Sequence, residues 1–265
     1  MMPVPPLRTG LEGFPPEVWK RIRGANHRLL LLDYDGTLAP FEVERMSARL
    51  PERTARAIRR IVREAGDVVA IVSGRPLAEL EALAGDLPIH LVGSYGWERR
   101  TAEGERIVVA VPHLVAERLA LARTAAAEQG WGDRLEAKPA AVMLHTRGLP
   151  EAEARRIESA CEALWRRLFV REGLELLHAD GGLELRATGF DKGRVVRELT
   201  RAHAGSRVVV FIGDDAGDES AFEVLRDGGI TVRVGADARP TRALWRLESP
   251  GAVCSLLERW AESVH

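Results

Sequence analysis

The chain has 265 residues, 46% of them hydrophobic and 29% charged, a composition typical of a folded globular protein rather than a disordered or collagenous one. Its 38 Lys and Arg residues nearly balance its 39 Asp and Glu residues, so the net charge of −1 predicts neither nucleic acid nor an anionic membrane as a partner. The length fits one large domain or a domain that carries an insertion.

The first 26 residues form a Pro-rich lead that lacks the apolar core of a signal peptide, and no run of about 18 apolar residues follows. The two cysteines, Cys161 and Cys254, each lie in a helix-like apolar pattern, which favours packed thiols over a disulfide. We therefore expect a cytoplasmic protein without a membrane span. The sequence leaves the oligomeric state open, with a monomer favoured.

Three short apolar runs predict the first strands of a parallel sheet, because each ends in glycine and polar residues. They lie at 29–32, at 68–72 and at 89–92. An amphipathic helix is predicted between the first two, from residue 51 until Gly66 stops it. In open parallel sheets, ligands bind at the edge formed by the C-terminal ends of the strands.

The middle of the chain, 111–188, has a different pattern and is predicted to be an inserted α+β cap. Two helix patterns alternate with strand-like runs, and the last two runs flank an Asp-Gly-Gly turn typical of a hairpin. We predict an α/β fold in which 27–110 and 189–265 form a Rossmann-like core, with helices on both faces of a parallel sheet. The cap is expected to close over the substrate, exclude water and set specificity.

Clustered carboxylates follow two of the predicted strands. Asp33 and Asp35 come directly after the first strand, and Asp214, Asp215 and Asp218 follow the later strand RVVVFI. Carboxylates this close repel one another unless a cation offsets their charge, and an all-oxygen ligand set favours Mg²⁺. Mn²⁺ and Co²⁺ accept the same ligands, so the choice among the three ions stays open.

Metal-bound carboxylates are typical of phosphate chemistry, which also needs groups that bind phosphoryl oxygens. Ser73, Gly74 and Arg75 end the second strand with a hydroxyl, a close backbone approach and a guanidinium. Lys192 opens a predicted helix whose N-terminus favours anions. A carboxylate could then attack phosphorus while a second carboxyl group protonates the leaving oxygen and later activates water.

In this order, the segments DYDGT, SGR, Lys-Gly and GDDAGDE resemble the haloacid dehalogenase superfamily of phosphohydrolases. The resemblance implies that Asp33 is the nucleophile and that Asp35 acts as general acid and then base, with its backbone carbonyl on the metal. The predicted catalytic residues are Asp33, Asp35, Ser73 and Lys192. The predicted phosphate-binding residues are Asp33, Gly36, Thr37, Ser73, Gly74, Arg75 and Lys192. The predicted metal ligands are Asp33, Asp35, Asp214, Asp215 and Asp218.

More of the chain, from about residue 29 to 247, resembles the trehalose-6-phosphate phosphatase family, through GSYGWE, LELRATGFDKG and GDDAGDESAF among other segments. The resemblance implies trehalose 6-phosphate as substrate, through a phosphoaspartyl intermediate. The implied sugar-binding residues are Glu136, Lys138, His145, Arg147 and Glu184. Four positions depart from the family pattern: Tyr95, Thr146, Gly217 and Ser220 stand where His, Tyr, Thr and Asp are usual.

Two alternatives remain open. The enzyme could act on another sugar phosphate, such as a glycosyl-glycerate phosphate or a hexose phosphate, because the departures at Tyr95 and Thr146 bear on the sugar. A non-catalytic phospho-receiver or sugar-phosphate-binding module also places an Asp beside Mg²⁺. The cap, Asp35 and Lys192 argue against that module, since a receiver needs neither a leaving-group acid nor a sugar-sized lid.

Overall fold

The computed structural model describes residues 8–9, 14–169, 173–179, 181–205, 207–237 and 239–263. The helices are α1 (Pro16–Arg23), α2 (Glu52–Ala65), α3 (Leu77–Ala84), α4 (His113–Ala126), α5 (Glu151–Leu168), α6 (Lys192–Ala202), α7 (Glu219–Val224) and α8 (Pro250–Glu262). The strands are β1 (Arg8–Thr9), β2 (Arg28–Leu32), β3 (Val68–Val72), β4 (His90–Gly93), β5 (Glu98–Arg100), β6 (Arg106–Val108), β7 (Leu135–Lys138), β8 (Ala141–His145), β9 (Leu174–Ala179), β10 (Gly182–Ala187), β11 (Val208–Gly213), β12 (Ile230–Val234) and β13 (Trp245–Leu247). Within these ranges, no helix is both long and apolar enough to cross a bilayer.

The chain forms two compact units. Residues Val108–Phe190 make the inserted unit, and the segments on either side of them make the core unit. Among the described residues, the core unit contains a nine-stranded sheet with helices, and the inserted unit contains a four-stranded sheet with two long helices. The predicted α/β class is therefore confirmed.

The core sheet has the strand order β1-β13-β12-β11-β2-β3-β4-β5-β6. Along this order, every neighbouring pair from β1 across the sheet to β4 is parallel. Strand β5 is antiparallel to β4. From β2 the chain first builds outward through β3 and β4, and it later returns to place β11 on the other side of β2. The order of connection thus reverses between β2 and β11, which is where ligands bind in open parallel sheets.

Helices cover both faces of the core sheet. Alternate residues of β2 show the two layers: Leu30 and Leu32 belong to the cluster that contains residues of α1, α2, α3 and α8. Leu29 and Leu31 belong to the cluster built with α6 and α7. All four leucines are fully buried, as the near-continuous apolar run in the sequence predicts for a strand covered on both sides.

The described residues 14–26 of the Pro-rich lead belong to the core unit. Helix α1 buries Trp19 and Ile22 in the core cluster, and the Trp19 ring meets Trp260 of α8 with 6.4 Å between ring centroids. Pro16 stands in the first turn of α1, where a missing N–H costs nothing, so the prolines start a helix here instead of preventing one. Strands β1, β5 and β13 were also not predicted, because two or three residues are too few to show a strand period.

In the inserted unit, the sheet order is β7-β8-β10-β9, with every pair antiparallel. Helices α4 and α5 pack together, and the Trp165 indole N–H donates a hydrogen bond to the Ala122 carbonyl across 3.0 Å. The predicted hairpin is formed by β9 and β10. Its turn includes residue 180, which lies outside the described residues.

Candidate active site

The two acidic segments, which begin at Asp33 and Asp214, lie where the connection order of the core sheet reverses. Asp33 follows β2 and Asp214 follows β11, and these strands are direct parallel neighbours. The backbone N–H of Asp33 donates to the Ile212 carbonyl at 2.9 Å, so the ladder continues past the end of β2. The two carboxylates meet because neighbouring parallel strands end at the same edge.

The turn after Asp33 requires glycine at position 36. Gly36 has φ +71°, and a Cβ there would lie 2.1 Å from Oδ2 of Asp214, so both the backbone angle and the space exclude a side chain. The next residue, Thr37, is fully buried, and its hydroxyl lies 3.4 Å from Oδ1 of Asp214. Of the predicted phosphate-binding residues, these two therefore lie against the Asp214 carboxylate.

Lys192 stands at the start of α6, among carboxylates. Its Nζ lies 2.8 Å from Oδ1 of Asp33, 2.6 Å from Oδ1 of Asp218 and 3.7 Å from Oδ1 of Asp215, and the residue is 3% exposed. Gly193 makes this position possible, since a Cβ there would lie 2.5 Å from the Ser220 carbonyl oxygen.

The Ser220 hydroxyl accepts the Gly193 N–H and donates to the Gly217 carbonyl. Two of the four positions that depart from the family pattern thus help to fix the start of α6.

The buried charges shift one another's protonation. Burial raises the pKa of Asp33 and of Asp218, and neighbouring carboxylates add to the rise while Lys192 opposes it. Burial, followed by the charges of Asp215 and Asp218, raises the pKa of Asp214 to about 7. For Asp215, burial is outweighed by Lys192 and by hydrogen bonds, so its pKa falls. The three surrounding carboxylates outweigh burial at Lys192 and raise the pKa of its ammonium group.

Three of the five predicted metal ligands offer converging carboxylate oxygens. Oxygens of Asp33, Asp214 and Asp218 all lie within 4.8 Å of one another; Asp33 and Asp218 are buried and Asp214 is half-buried. Hard oxygen donors with excess negative charge suit a divalent cation such as Mg²⁺. These residues therefore fit the metal that the sequence predicts.

The carboxylates of the other two predicted ligands are engaged elsewhere. Asp215 caps the short 3₁₀ turn Ala216–Asp218 by accepting the Asp218 N–H. The side chain of Asp35 is held by Arg75, whose Nε and Nη2 each lie 2.6 Å from one of its oxygens. The sequence predicts that Arg75 binds phosphate and that the Asp35 backbone carbonyl binds the metal, but the pairing of the two side chains has no signal in the sequence.

The Ser73–Arg75 segment is closed in by a strained turn. Ser73 directly follows β3 and is 2% exposed, and its Oγ accepts the Arg75 N–H at 3.2 Å. Ser94 and Tyr95 have φ of +49° and +57°, which are unusual for residues other than glycine. A Cβ on Gly74 would lie 2.6 Å from the Tyr95 ring, so glycine is needed where that ring crosses the segment.

Sequence reasoning missed the charged residues that surround Arg75. Glu79 accepts a hydrogen bond from Nη1 of Arg75 at 3.2 Å, and Arg45 forms an ion pair with the same glutamate. Arg75 lies before α3, which begins at Leu77, so the helical spacing of four residues did not reveal its contact with Glu79. The contact between Arg45 and Glu79 gave no local signal, since 34 residues separate the two.

In the inserted unit, four of the five predicted sugar-binding residues form two pairs. Nζ of Lys138 lies 2.5 Å from Oε2 of Glu184, and Nε2 of His145 lies 2.8 Å from Oε2 of Glu136. Glu136 and Glu184 both stand opposite Met143 of the central strand β8, so they share one face of the sheet.

The fifth predicted sugar-binding residue, Arg147, lies at the end of the sheet. Its side chain packs over Gly181 in the β9–β10 turn. The neighbouring Thr146, one of the departures from the family pattern, donates its hydroxyl hydrogen bond to Glu158 of α5.

Comparison with known proteins identifies a family and several relatives. The family model described as trehalose-phosphatase matches residues 31–251. The trehalose-6-phosphate phosphatase of Escherichia coli is 32% identical over 234 residues, which are 85% of this chain and 84% of that protein. The trehalose-phosphate phosphatase of Mycolicibacterium paratuberculosis is 30% identical, and the match covers 90% of this chain but 63% of that protein.

Among solved structures, the C-terminal domain of the Candida albicans trehalose-6-phosphate phosphatase has a TM-score of 0.84 at 21% identity. That match covers 93% of this chain and 96% of the other, and at this identity it shows the fold alone. Crystal form 3 of the Aspergillus fumigatus trehalose-6-phosphate phosphatase has a TM-score of 0.68 at 25% identity, covering 93% and 97%.

Proposed function

The chain belongs to the trehalose-phosphatase family, and from this membership we propose that it hydrolyses trehalose 6-phosphate to trehalose and inorganic phosphate. The observation that carries the proposal is the contact between the buried Lys192 ammonium and Asp33, beside the converging oxygens of Asp214 and Asp218. A buried ammonium next to a carboxylate nucleophile suits a reaction in which a negatively charged phosphoryl group must be held and attacked.

The reaction proceeds in two steps at Asp33. A carboxylate oxygen of Asp33 forms a bond to phosphorus while the bond from phosphorus to the sugar oxygen breaks, and Asp35 gives its proton to the departing oxygen. Asp35 then takes a proton from a water molecule, the water oxygen attacks phosphorus, and the bond to Asp33 breaks to release phosphate. The position of Asp35 two residues after the nucleophile, at the same sheet edge, supports this division of roles.

Ser73 and Lys192 bind the phosphoryl oxygens. The Ser73 oxygen already accepts the Arg75 N–H, so its own O–H can be donated to a phosphoryl oxygen. Lys192 supplies a full positive charge that its carboxylate neighbours keep protonated. The backbone at Gly36, Thr37 and Gly74 completes the phosphate site, as the family resemblance implies.

Asp33, Asp214 and Asp218 would hold the metal, for which Mg²⁺ is the proposed ion. Their mutual distances and raised pKa values support this, because the three carboxylates carry more negative charge than Lys192 alone offsets. When bound, the ion neutralises negative charge on the phosphoryl oxygens. Asp215 acts indirectly, by holding the turn that presents Asp218.

Glu136, Lys138 and Glu184 hold the sugar, with His145 and Arg147 in support. Two carboxylates and an ammonium can bond several hydroxyl groups of a disaccharide at once. Glu184 is 1% exposed and its Oε1 has no hydrogen-bond partner among the described residues, so it keeps an acceptor for a ligand hydroxyl.

We also place the enzyme in the cytoplasm, because Cys161 and Cys254 are both buried free thiols.

Release of inorganic phosphate from a panel of substrates tests this function. The panel contains trehalose 6-phosphate, glucose 6-phosphate, a glycosyl-glycerate phosphate and 4-nitrophenyl phosphate, each with Mg²⁺, Mn²⁺ or Co²⁺. The expected result is the highest kcat/KM with trehalose 6-phosphate and Mg²⁺. A preference for another sugar phosphate would replace the proposed substrate. Lack of turnover with the entire panel would instead favour a receiver or binding module.

A further inference from the structure

Four charged side chains form a continuous chain that ends on Asp35. Nε and Nη2 of Arg75 each lie 2.6 Å from an oxygen of Asp35. Nη1, the third nitrogen of the same guanidinium, lies 3.2 Å from Oε2 of Glu79. The other carboxylate oxygen of Glu79 pairs with Arg45. The chain therefore runs from Arg45 through Glu79 and Arg75 to the proposed acid and base.

The position of Arg75 leaves its guanidinium little freedom. Its side chain is 8% exposed, and its guanidinium carbon lies 5.8 Å from the centre of the Tyr34 ring. The buried phenol of Tyr34 donates to the Ala48 carbonyl at 2.8 Å, which fixes the ring. A planar guanidinium that holds both oxygens of one carboxylate also fixes the plane and direction of that carboxylate.

Glu79 restrains the orientation of this guanidinium. Its carboxylate binds the nitrogen that Asp35 leaves unused, so the two acids hold Arg75 from different sides. Glu79 is itself held by Arg45, on the loop that follows the Asp35 turn, and its side chain is 19% exposed. Without Glu79, the guanidinium could turn about its long side chain and still satisfy one Asp35 oxygen.

We infer that Glu79 is a positioning residue that, through Arg75, orients the carboxyl group of Asp35 toward the leaving-group oxygen of the substrate. The inference rests on the proposed function, because it takes Asp35 as the acid. A carboxylate has about four lone-pair sites and the guanidinium occupies two, so the Asp35 oxygens keep sites that can face the substrate. The proton moves from Asp35 to the alkyl oxygen as the phosphorus–oxygen bond breaks.

The test compares two leaving groups in the full-length Glu79→Gln variant with Mg²⁺. An alkyl oxygen, as in trehalose 6-phosphate, needs a proton to depart, whereas 4-nitrophenolate departs without one. Because kcat/KM reports the steps through leaving-group departure, we expect a fall of about 10- to 100-fold with trehalose 6-phosphate, the size expected from a misplaced general acid. With 4-nitrophenyl phosphate, kcat/KM should stay within about 2-fold of the wild type.

Glu81→Gln is the matched control. Glu81 lies on the same helix, its side chain is 17% exposed, and it pairs with Arg106 at 2.8 Å, so the same substitution there should leave both substrates unchanged. Arg45→Gln offers a second approach that leaves Glu79 and Arg75 intact, and it should lower kcat/KM for the alkyl phosphate selectively. Thermal unfolding of each variant shows whether it has folded.

Equal losses with both substrates in Glu79→Gln and Arg45→Gln, or no loss in either variant, would overturn the positioning role. This outcome differs from failure of the proposed function. If the wild type hydrolyses glucose 6-phosphate but not trehalose 6-phosphate, the substrate assignment fails, and glucose 6-phosphate then serves as the alkyl substrate in the same comparison.

Discussion

Asp33→Asn should remove activity and at the same time stabilise the metal-free protein. The change deletes one negative charge but keeps the size of the side chain and its ability to accept a hydrogen bond from Lys192. Asp33 is 4% exposed, so this charge lies where water screens it poorly. The variant therefore separates what the carboxylate contributes to folding from what it contributes to catalysis.

The magnitude follows from the distances. At an effective dielectric constant of about 20, the attraction between Asp33 and Lys192 over 2.8 Å is worth about 6 kcal/mol. Repulsion from Asp214 and Asp218, each within 4.8 Å, is worth about 3.5 kcal/mol per pair, or about 7 kcal/mol together. Repulsion exceeds attraction by about 1 kcal/mol before the cost of burial is added.

We therefore expect the metal-free variant to be more stable than the metal-free wild type by at least about 1 kcal/mol at pH 8, or about 2–4 °C in Tm. With Mg²⁺ present, kcat should fall by at least about 10⁴-fold, because the nucleophile is gone. Differential scanning fluorimetry with EDTA measures the first effect, and phosphate release measures the second.

The control is the same substitution at Asp67, a buried carboxylate that accepts hydrogen bonds from Arg28 and from the Trp260 indole N–H. Asp67 lies 2.6 Å from Arg28, and both side chains are almost completely buried, so Asp67→Asn should destabilise the protein by about 3–5 kcal/mol. A metal-free Asp33→Asn variant less stable than the wild type would refute the electrostatic reasoning. Turnover within about 10-fold of the wild type would refute Asp33 as the nucleophile.

The remaining predictions concern the metal, the sugar and the N-terminal helix. Mg²⁺ should bind about 10-fold more tightly at pH 8 than at pH 6, because the metal-free pKa of Asp214 is about 7 and binding displaces the proton. Isothermal titration calorimetry measures this, and an affinity independent of pH would contradict it. Glu184→Gln should raise KM for trehalose 6-phosphate by about 10-fold or more. The KM for 4-nitrophenyl phosphate should stay within about 2-fold of the wild-type value. Glu175→Gln on the adjacent strand is the control, and equal effects on both substrates would remove Glu184 from the sugar site. Trp19→Ala should cost about 3–5 kcal/mol of unfolding free energy in urea, since Trp19 is 1% exposed. A loss no larger than that of Trp131→Ala, at a half-buried tryptophan, would show that α1 contributes little.

Much of the fold could be predicted because its signals are local. A run of four leucines that is followed by Asp33 is typical of a strand buried on both faces, and the structure has β2 there. The end of α2 at Gly66 could also be predicted, because helices often end at a glycine in the left-handed conformation. In the structure Gly66 adopts that conformation, with φ +66°. Strands β1, β5 and β13 were missed because they have only two or three residues, and α1 was missed because it begins in a Pro-rich segment.

The sequence by itself determined which chemical groups stand at the ends of β2, β3 and β11, since chain order and apolar patterning suffice to place them. Only the tertiary structure decided which partner each of those groups contacts. In the structure, the Asp35 carboxylate contacts Arg75, Asp215 caps a turn and Asp218 pairs with Lys192. The physical reason is that such choices depend on differences of one or two ångströms between charged atoms from distant segments, and linear spacing does not encode these distances.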